Sequence, residues 1–338
     1  MLVVHPHLHR RRTGVTSHTE AVVRQLRAEG VDARVYGGQV DEALPRVTLG
    51  EVRRRARAEA VVWHAHRNNE LLLALLLRLV GVRLRVVMTR HSSTRPSWWS
   101  RFLLRRADVV IALSEEATRV LPVKATVVSH GVDLARFSPP ASRAEAFAAL
   151  RLPGARAVGV VGRVRPDKGQ GDFVEAVAPL LSRFEAWTPV LVGLAKGGDA
   201  AWAEGLKAKT GGKLVLAGEQ ADVATWYRGL DVLVQSSHGE AFSMVVLEAM
   251  ASGCCVVASR LPYMHRVLEH ERTGLFYEPG DAQGLRAQLE RVLADDALRQ
   301  RLGGAAAEEA KRRFGVAQEV AALRTLYEGR SEGVDVVG

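Results

Sequence analysis

The residues best suited to chemistry are two glutamates in one short stretch, SSHGEAFSMVVLEAMASG, residues 236–253. Glu240 precedes an apolar run and Glu248 lies inside it. DVLVQSS reads as a strand, HGEAF as the loop at its carboxyl end, and SMVVLEAMASG as a helix closed by Gly253. The first-turn amides of Ser243, Met244 and Val245 would lack partners within that helix and would attract an anion such as phosphate. Glu248 stands roughly 7.5 Å further along the axis than Ser243, about the reach from a diphosphate to a ribose. Taken alone, the pair reads more simply as one solvated loop residue and one ordinary helical glutamate.

A second strand end supplies opposite charge. VGVVGRVRPDKGQGDFVEAV places Arg163 and Lys168 in a glycine-bearing loop between a strand and a helix. Arg163 offers phosphate oxygens a planar fork and Lys168 a point charge. Gly162 and Gly169 let the backbone come close. Phosphate-binding groups around both carboxylates, one of them inside a helix, argue against reading Glu240 and Glu248 as a glycosidase pair.

Both strand ends belong to a chain that alternates short Val-rich strands with helical patterns. In the first half MLVVHP, DARVYG, AEAVVWHAH, LRVVMTRH, ADVVIALS and ATVVSHGVD are expected strands, with a helix over residues 17–29. The second half repeats the grammar with RAVGVVGRV, TPVLVG, KLVLAG, DVLVQSS and CCVVASR. Near-continuous apolar strands alternating with helices imply parallel, doubly wound sheets covered on both faces. Residues 138–155, which show no strand pattern, are expected to link two Rossmann-like domains, residues 1–140 and 150–312. The closing helix, residues 314–329, is expected to pack back on the first domain, and RSEGVDVVG to form a loose tail. Two such domains facing one another would leave a cleft beyond the carboxyl ends of their strands.

At 338 residues the chain is too long for one ordinary core. The N-terminus lacks an apolar stretch of signal-peptide length. The longest apolar run, LLLALLLRLVG, is interrupted by Arg78 and falls short of the roughly 20 residues a membrane span needs, so it reads as a buried helix. Cys254 and Cys255 have no CxxC spacing and read as small apolar filler in a reduced, cytoplasmic protein. The formal charge of +10 is concentrated in the first half: residues 1–139 carry 23 Lys+Arg against 12 Asp+Glu, which leaves 24 against 25 for the remainder. Such a basic domain can attract nucleic acid, an anionic membrane or a phosphorylated substrate; no nucleic-acid partner is expected here.

Together, GRVRPDKG, HGEAFSMVVLEAMASG and the preceding SHGVDLARFSP resemble the retaining nucleotide-sugar glycosyltransferases of family 4. The resemblance covers nearly the whole chain, including RTGLFYEPGDAQGL and the closing helix. It implies an α/β GT-B fold, two Rossmann-like domains facing a central cleft, with the nucleotide held mainly by the second. It implies that Arg163 and Lys168 bind the donor diphosphate, that Glu240 contacts the donor sugar and that Glu248 binds the ribose. Gly14 is implied near the donor phosphates and His91 beside the donor sugar, in a metal-independent transfer with no cofactor. Where the family commonly has EGFGL this chain has EAFSM, so Ala241 and Ser243 stand for glycines. Ser243 keeps its backbone N–H, so the phosphate site should survive. His265 and Arg266 stand near where many relatives have Pro-Glu, which bears on sugar selectivity.

HPHLHRRRTGVTSHTEAV is similar to the same region of lipopolysaccharide-core mannosyltransferases. That implies transfer of a hexose, mannose from GDP-mannose, to a lipid-linked or lipopolysaccharide-core acceptor. A UDP-sugar donor is the alternative, and a non-catalytic sugar-nucleotide-binding protein or a hydrolase are the rivals.

Arg10, Arg11 and Arg12 flank Gly14 and read either as an exposed polar loop or as a contact for an anionic acceptor. His5, His7 and His9 alternate along the first strand, with no carboxylate or cysteine at ligand spacing beside them. They are read, with His18, His64, His66 and His91, as structural or substrate-contacting, and no metal site is expected. In SWWSRFLLRRAD, Trp98 and Trp99 stand beside Arg101, Arg105 and Arg106, a composition suited to peripheral attachment at an anionic inner leaflet. The plainer alternative is a helix packing its Trp and Leu residues on the sheet.

Overall fold

The computed structural model describes residues 1–329; the tail RSEGVDVVG lies outside the described residues. The chain divides into two compact units, one of residues 1–131 and 314 onward, the other of residues 132–313.

In the first unit six parallel strands, β1 (Leu2–His7), β2 (Asp32–Gly37), β3 (Val61–Ala65), β4 (Arg85–Arg90), β5 (Val109–Ala112) and β6 (Thr126–Val127), run in the order β2-β1-β3-β4-β5-β6. Helices α1 (Gly14–Ala28), α2 (Leu49–Arg55), α3 (Asn68–Leu79), α4 (Trp98–Leu104) and α5 (Glu115–Thr118) cover them. Helix α1 begins three residues earlier than expected because Thr13 and Thr16 form a reciprocal cap at its start. α3 is not the buried helix its leucines suggest: Glu70, Leu71 and Ala74 are buried while Leu76 and Leu79 are exposed.

The second unit carries β7 (Arg156–Val161), β8 (Trp187–Val192), β9 (Val215–Gly218), β10 (Val232–Gln235), β11 (Cys255–Ser259) and β12 (Leu275–Tyr277), parallel and ordered β12-β11-β10-β7-β8-β9. Its helices are α6 (Arg143–Ala149), α7 (Gln170–Val177), α8 (Gly198–Lys209), α9 (Val223–Gly229), α10 (Met244–Ala251), α11 (Ala282–Ala294) and α12 (Asp296–Arg313). β12 is a strand that periodicity missed; three residues are too few to show an alternation. The last helix, α13 (Val316–Tyr327), belongs to the first unit, where Val320, Leu323 and Leu326 join the apolar cluster beneath α1. Both units are Rossmann-like, with apolar clusters on the faces of each sheet. Burying one side chain such as Phe173 contributes about 1.5–3 kcal/mol.

The expected linker is the main difference. Residues 138–155 are not a free connection but part of the second unit, with α6 packed on α9. The guanidinium of Arg143 donates to the carbonyls of Tyr227, Arg228, Ser252 and Gly253 at 2.9–3.2 Å. It thereby neutralises the carboxyl-terminal ends of α9 and α10 together. The boundary thus falls at residues 131–132, earlier than sequence patterning placed it. Cys254 and Cys255 are buried and unoxidised, and desolvation pushes their thiols up to about 11 and about 12.

Candidate functional site

In the second unit, strand order reverses between β7 and β10, the place where an open α/β sheet binds ligands at its carboxyl edge. The loop after β7 carries Arg163 and Lys168, and the loop after β10 carries Glu240. Gly169 fixes their spacing. Its φ is +68°, and a Cβ there would overlap the Ser236 carbonyl, so only glycine lets the two loops touch. Ser236 Oγ donates to the Lys168 carbonyl at 2.9 Å, and the His238 amide to the Asp167 carbonyl at 3.2 Å. Gln170, fully buried, donates to the Arg163 carbonyl at 3.1 Å and accepts from the Arg165 amide at 3.4 Å.

These backbone ties bring the Lys168 ammonium onto the Glu240 carboxylate in an ion pair. Ser237 Oγ also donates to Glu240 Oε1 at 2.8 Å. Arg163 stands apart from that pair, half-exposed, with its guanidinium 3.7 Å from Asp199. Ser243 is the N-cap of α10 and makes no side-chain cap bond, so Met244 and Val245 open the first turn behind it. Tyr263 lies beside this end, its ring 5.8 Å from that of Phe242. Burial first, and the Glu240 charge second, push its phenol well above the ordinary value.

Further along α10, Glu248 Oε2 accepts from the phenol of Tyr227 at 2.8 Å. Tyr227 is fully buried and raised by burial and by the Glu248 charge, so it remains a donor. It fixes the direction of the carboxylate. Tyr227 and Asp199 escaped sequence reasoning because each acts on a residue distant in the chain, Ser237 and Gln170 because short polar contacts within a loop leave no periodic signal. Only the side chain of Asp222, at the N-cap of α9, hinted at the helix that carries Tyr227.

In the first unit the sheet order reverses between β1 and β3. Gly14 opens α1 after β1, and a Cβ there would meet nothing within 4 Å. Arg10, Arg11 and Arg12 are exposed, and Arg12 pairs with Glu20 at 2.7 Å. Arg67, after β3, donates to Thr13 Oγ1 at 3.1 Å and holds the two strand ends together.

His5, His7 and His9 do not converge: His7 bonds the Gly38 carbonyl and Thr16, and His9 the Arg11 backbone. Instead four rings form a chain. His5 Nδ1 meets His66 Nε2 at 3.2 Å, His66 Nδ1 meets His91 Nε2 at 3.2 Å, and His91 Nδ1 meets His130 Nε2 at 3.1 Å. Both nitrogens of half-buried His91 are therefore engaged. Burial lowers all four rings, His5 to about 3 and His130 to about 4, so they are neutral near pH 7.

On α4, Leu103 and Leu104 pack inward while Trp98 is 70% exposed, Trp99 37% and Phe102 40%. The tryptophans thus do not pack on the sheet. The Arg106 guanidinium lies 3.5 Å from the Phe102 ring centroid, and Arg101 and Arg105 are exposed on the same short helix and its end. Among the described residues no helix is long and apolar enough to cross a membrane.

Residues 155–295 match the family described as Glycosyl transferases group 1. The chain is 35% identical to the lipopolysaccharide core biosynthesis mannosyltransferase LpcC of Rhizobium leguminosarum bv. viciae, over 96% of this chain and 95% of the relative. It is 36% identical to the corresponding enzyme LpsB of Rhizobium meliloti (strain 1021), over 96% and 97%. The Anabaena protein Alr3699/HepE, solved in complex with UDP, superposes with a TM-score of 0.82 over 97% of this chain and all of that one, at 19% identity. That likeness establishes the GT-B fold.

Proposed function

We propose, from the premise that this chain belongs to the glycosyl transferases group 1 family and is a glycosyltransferase, that it transfers mannose from GDP-mannose to a lipopolysaccharide-core or other lipid-linked acceptor. The observation that carries the reading is the convergence of Lys168, Glu240 and the start of α10 at the switch point of the second unit, with Glu248 one helical stretch beyond. The identity to two core mannosyltransferases supports the sugar and the acceptor class.

In this reading Arg163, Lys168 and the amides of Ser243, Met244 and Val245 hold the diphosphate, and Glu248, oriented by Tyr227, accepts the ribose hydroxyls. Glu240, released from Lys168 when phosphate takes the ammonium, holds the sugar hydroxyls. The bond from the anomeric carbon to the phosphate oxygen breaks and a bond from the acceptor oxygen forms on the same face. The acceptor proton passes to the leaving diphosphate. Preorganised cations and amides stabilise charge growing on that leaving group, so retention needs neither a protein nucleophile nor a metal. Gly14 is proposed to leave room for the donor phosphates, and His91 to exchange one imidazole bond for a sugar hydroxyl.

The exposed Trp98, Trp99 and Phe102, with the arginines around them, support peripheral attachment to the anionic inner face of the cytoplasmic membrane. Arg10 and Arg11 suit a phosphorylated acceptor. A UDP-sugar donor is the second reading, because the Anabaena fold relative was solved with UDP. The test is transfer from GDP-[13C]mannose to a core oligosaccharide acceptor, followed by NMR. A new α-mannoside and released GDP are expected; free mannose without acceptor modification would point to a hydrolase.

A further inference from the structure

We propose that the first unit holds a divalent transition-metal ion between His18, His130 and Glu319, in a structural role. The three residues come from α1, from the segment after β6 and from α13, so they are separated by more than a hundred positions each. His18 Nε2 lies 3.0 Å and His130 Nδ1 3.3 Å from the same oxygen, Glu319 Oε1, and the three ligand atoms all fall within 4.8 Å of one another. Ligand bonds of about 2.0–2.1 Å in tetrahedral or octahedral geometry require neighbouring donor atoms about 2.9–3.4 Å apart. Two edges of the triangle already have that length.

The charge balance points the same way. Glu319 is 6% exposed, and its bonds come from the two imidazoles and the Gly131 amide, which donates to Oε2 at 2.7 Å. Among the described residues it has no lysine or arginine partner. A buried carboxylate is stable when it is paired or binds a cation. An ion held by the two imidazoles would set positive charge beside this buried carboxylate.

The surroundings fit a ligand set. With a cation on its Nδ1, His130 carries its proton on Nε2 and donates it to His91 Nδ1 at 3.1 Å, the outer support that metal-bound imidazoles ordinarily have. The Gly131 amide holds the free carboxylate oxygen in the same way. Among the described residues buried His18 Nδ1 has no hydrogen-bond partner; it is the nitrogen that keeps the proton when Nε2 binds an ion. Two imidazoles and one carboxylate favour a first-row divalent ion such as zinc over magnesium or calcium. An ion there would pin returning helix α13 to α1 and to the end of the β-sheet.

The test uses the full chain, stripped with chelator and titrated with Zn2+ by calorimetry. One equivalent is expected to bind, to raise the thermal midpoint, and to give an X-ray absorption spectrum of two imidazoles with oxygen. Glu319→Gln keeps oxygen and nitrogen at the same places and should weaken binding roughly a hundredfold or more, as loss of a ligand exceeds the 10–100-fold typical of outer-shell losses. His130→Asn should do likewise. A wild-type protein that takes up no zinc would overturn the proposal, whatever the variants do. Binding unchanged in both variants, or abolished only by His64→Asn in the neighbouring group of His5, His64 and His66, would equally overturn it. Nucleotide binding by the second unit is read separately and should survive the chelator.

Discussion

The ammonium of Lys168 is paired with the carboxylate of Glu240, across 72 positions of sequence. Two residues expected to grip different parts of one donor are therefore in direct contact with each other. In the proposed reading diphosphate competes for the lysine and frees the glutamate for the sugar. Lys168→Met should weaken GDP binding by roughly 10–100-fold, the range of a charge-assisted hydrogen bond of about 1.5–3 kcal/mol. Glu240→Gln should leave GDP affinity within a few-fold of wild type while lowering transfer by orders of magnitude. Calorimetry with GDP beside a transfer assay checks both; equal losses of binding in the two variants would refute the division of roles.

Tyr227 gives a separate test of the ribose contact. Tyr227→Phe removes the phenol that donates to Glu248 Oε2 while keeping the ring packed on Phe137. Stability should fall by about 1 kcal/mol, and affinity for GDP should fall several-fold because the carboxylate is no longer aimed. Affinity for inorganic pyrophosphate should not change. Urea unfolding and competition binding measure these effects.

Gly169→Ala tests how the loops are held. The new Cβ meets the Ser236 carbonyl in a left-handed backbone conformation, so a loss of about 2–4 kcal/mol is expected from strain and overlap together. The midpoint of thermal unfolding should drop, and nucleotide binding should weaken even below that temperature. Gly14→Ala, placed in open space, should leave stability unchanged; a loss of donor binding there would mark the ligand itself as the crowded neighbour.

Acid should destabilise the first unit earlier than carboxylates alone would allow. Burial lowers His5 to about 3 and carries His64 and His66 well below 6.5, with His18 and His91 opposing their protonation and Glu319 favouring it. Between the unfolded value near 6.5 and the folded values, the unfolded chain binds more protons. Stability is therefore full above about pH 6.5 and is lost as pH falls towards the folded values. Urea midpoints for the chelator-treated protein should decline from pH 7.5 to pH 5; a flat profile would contradict the buried neutral rings.

The membrane face makes its own claim. Trp98→Ala/Trp99→Ala/Arg105→Ala should reduce sedimentation with anionic vesicles and leave GDP binding intact. Equal pelleting of wild type and variant would remove the attachment from the account.

Much of the second unit was legible from its sequence because strand, loop and helix signals follow one another without interruption. Glycines at 162 and 169, the basic pair Arg163 and Lys168, and the run from Glu240 to Glu248 each sit where local patterning placed them. What escaped is non-local. Tyr227 reaches Glu248 from another helix, and Arg143 joins a supposed linker to the ends of two helices through carbonyls, which leave no trace in side-chain patterns. Which histidines meet is non-local for the same reason. His5, His7 and His9 are neighbours in sequence, yet the rings that meet are His5, His66, His91 and His130, and the carboxylate beside them is Glu319 on the returning helix.

The most direct test of the central claim is thermal stabilisation by GDP, UDP, ADP and their sugar conjugates, with wild type beside Glu248→Gln, which keeps an acceptor for Tyr227. Stabilisation grows with ligand concentration over Kd. The expected result is a midpoint that rises with GDP and GDP-mannose and a rise that is largely lost in the variant. No rise with any nucleotide would contradict the sugar-nucleotide site, and an equal rise in both proteins would contradict the ribose contact of Glu248.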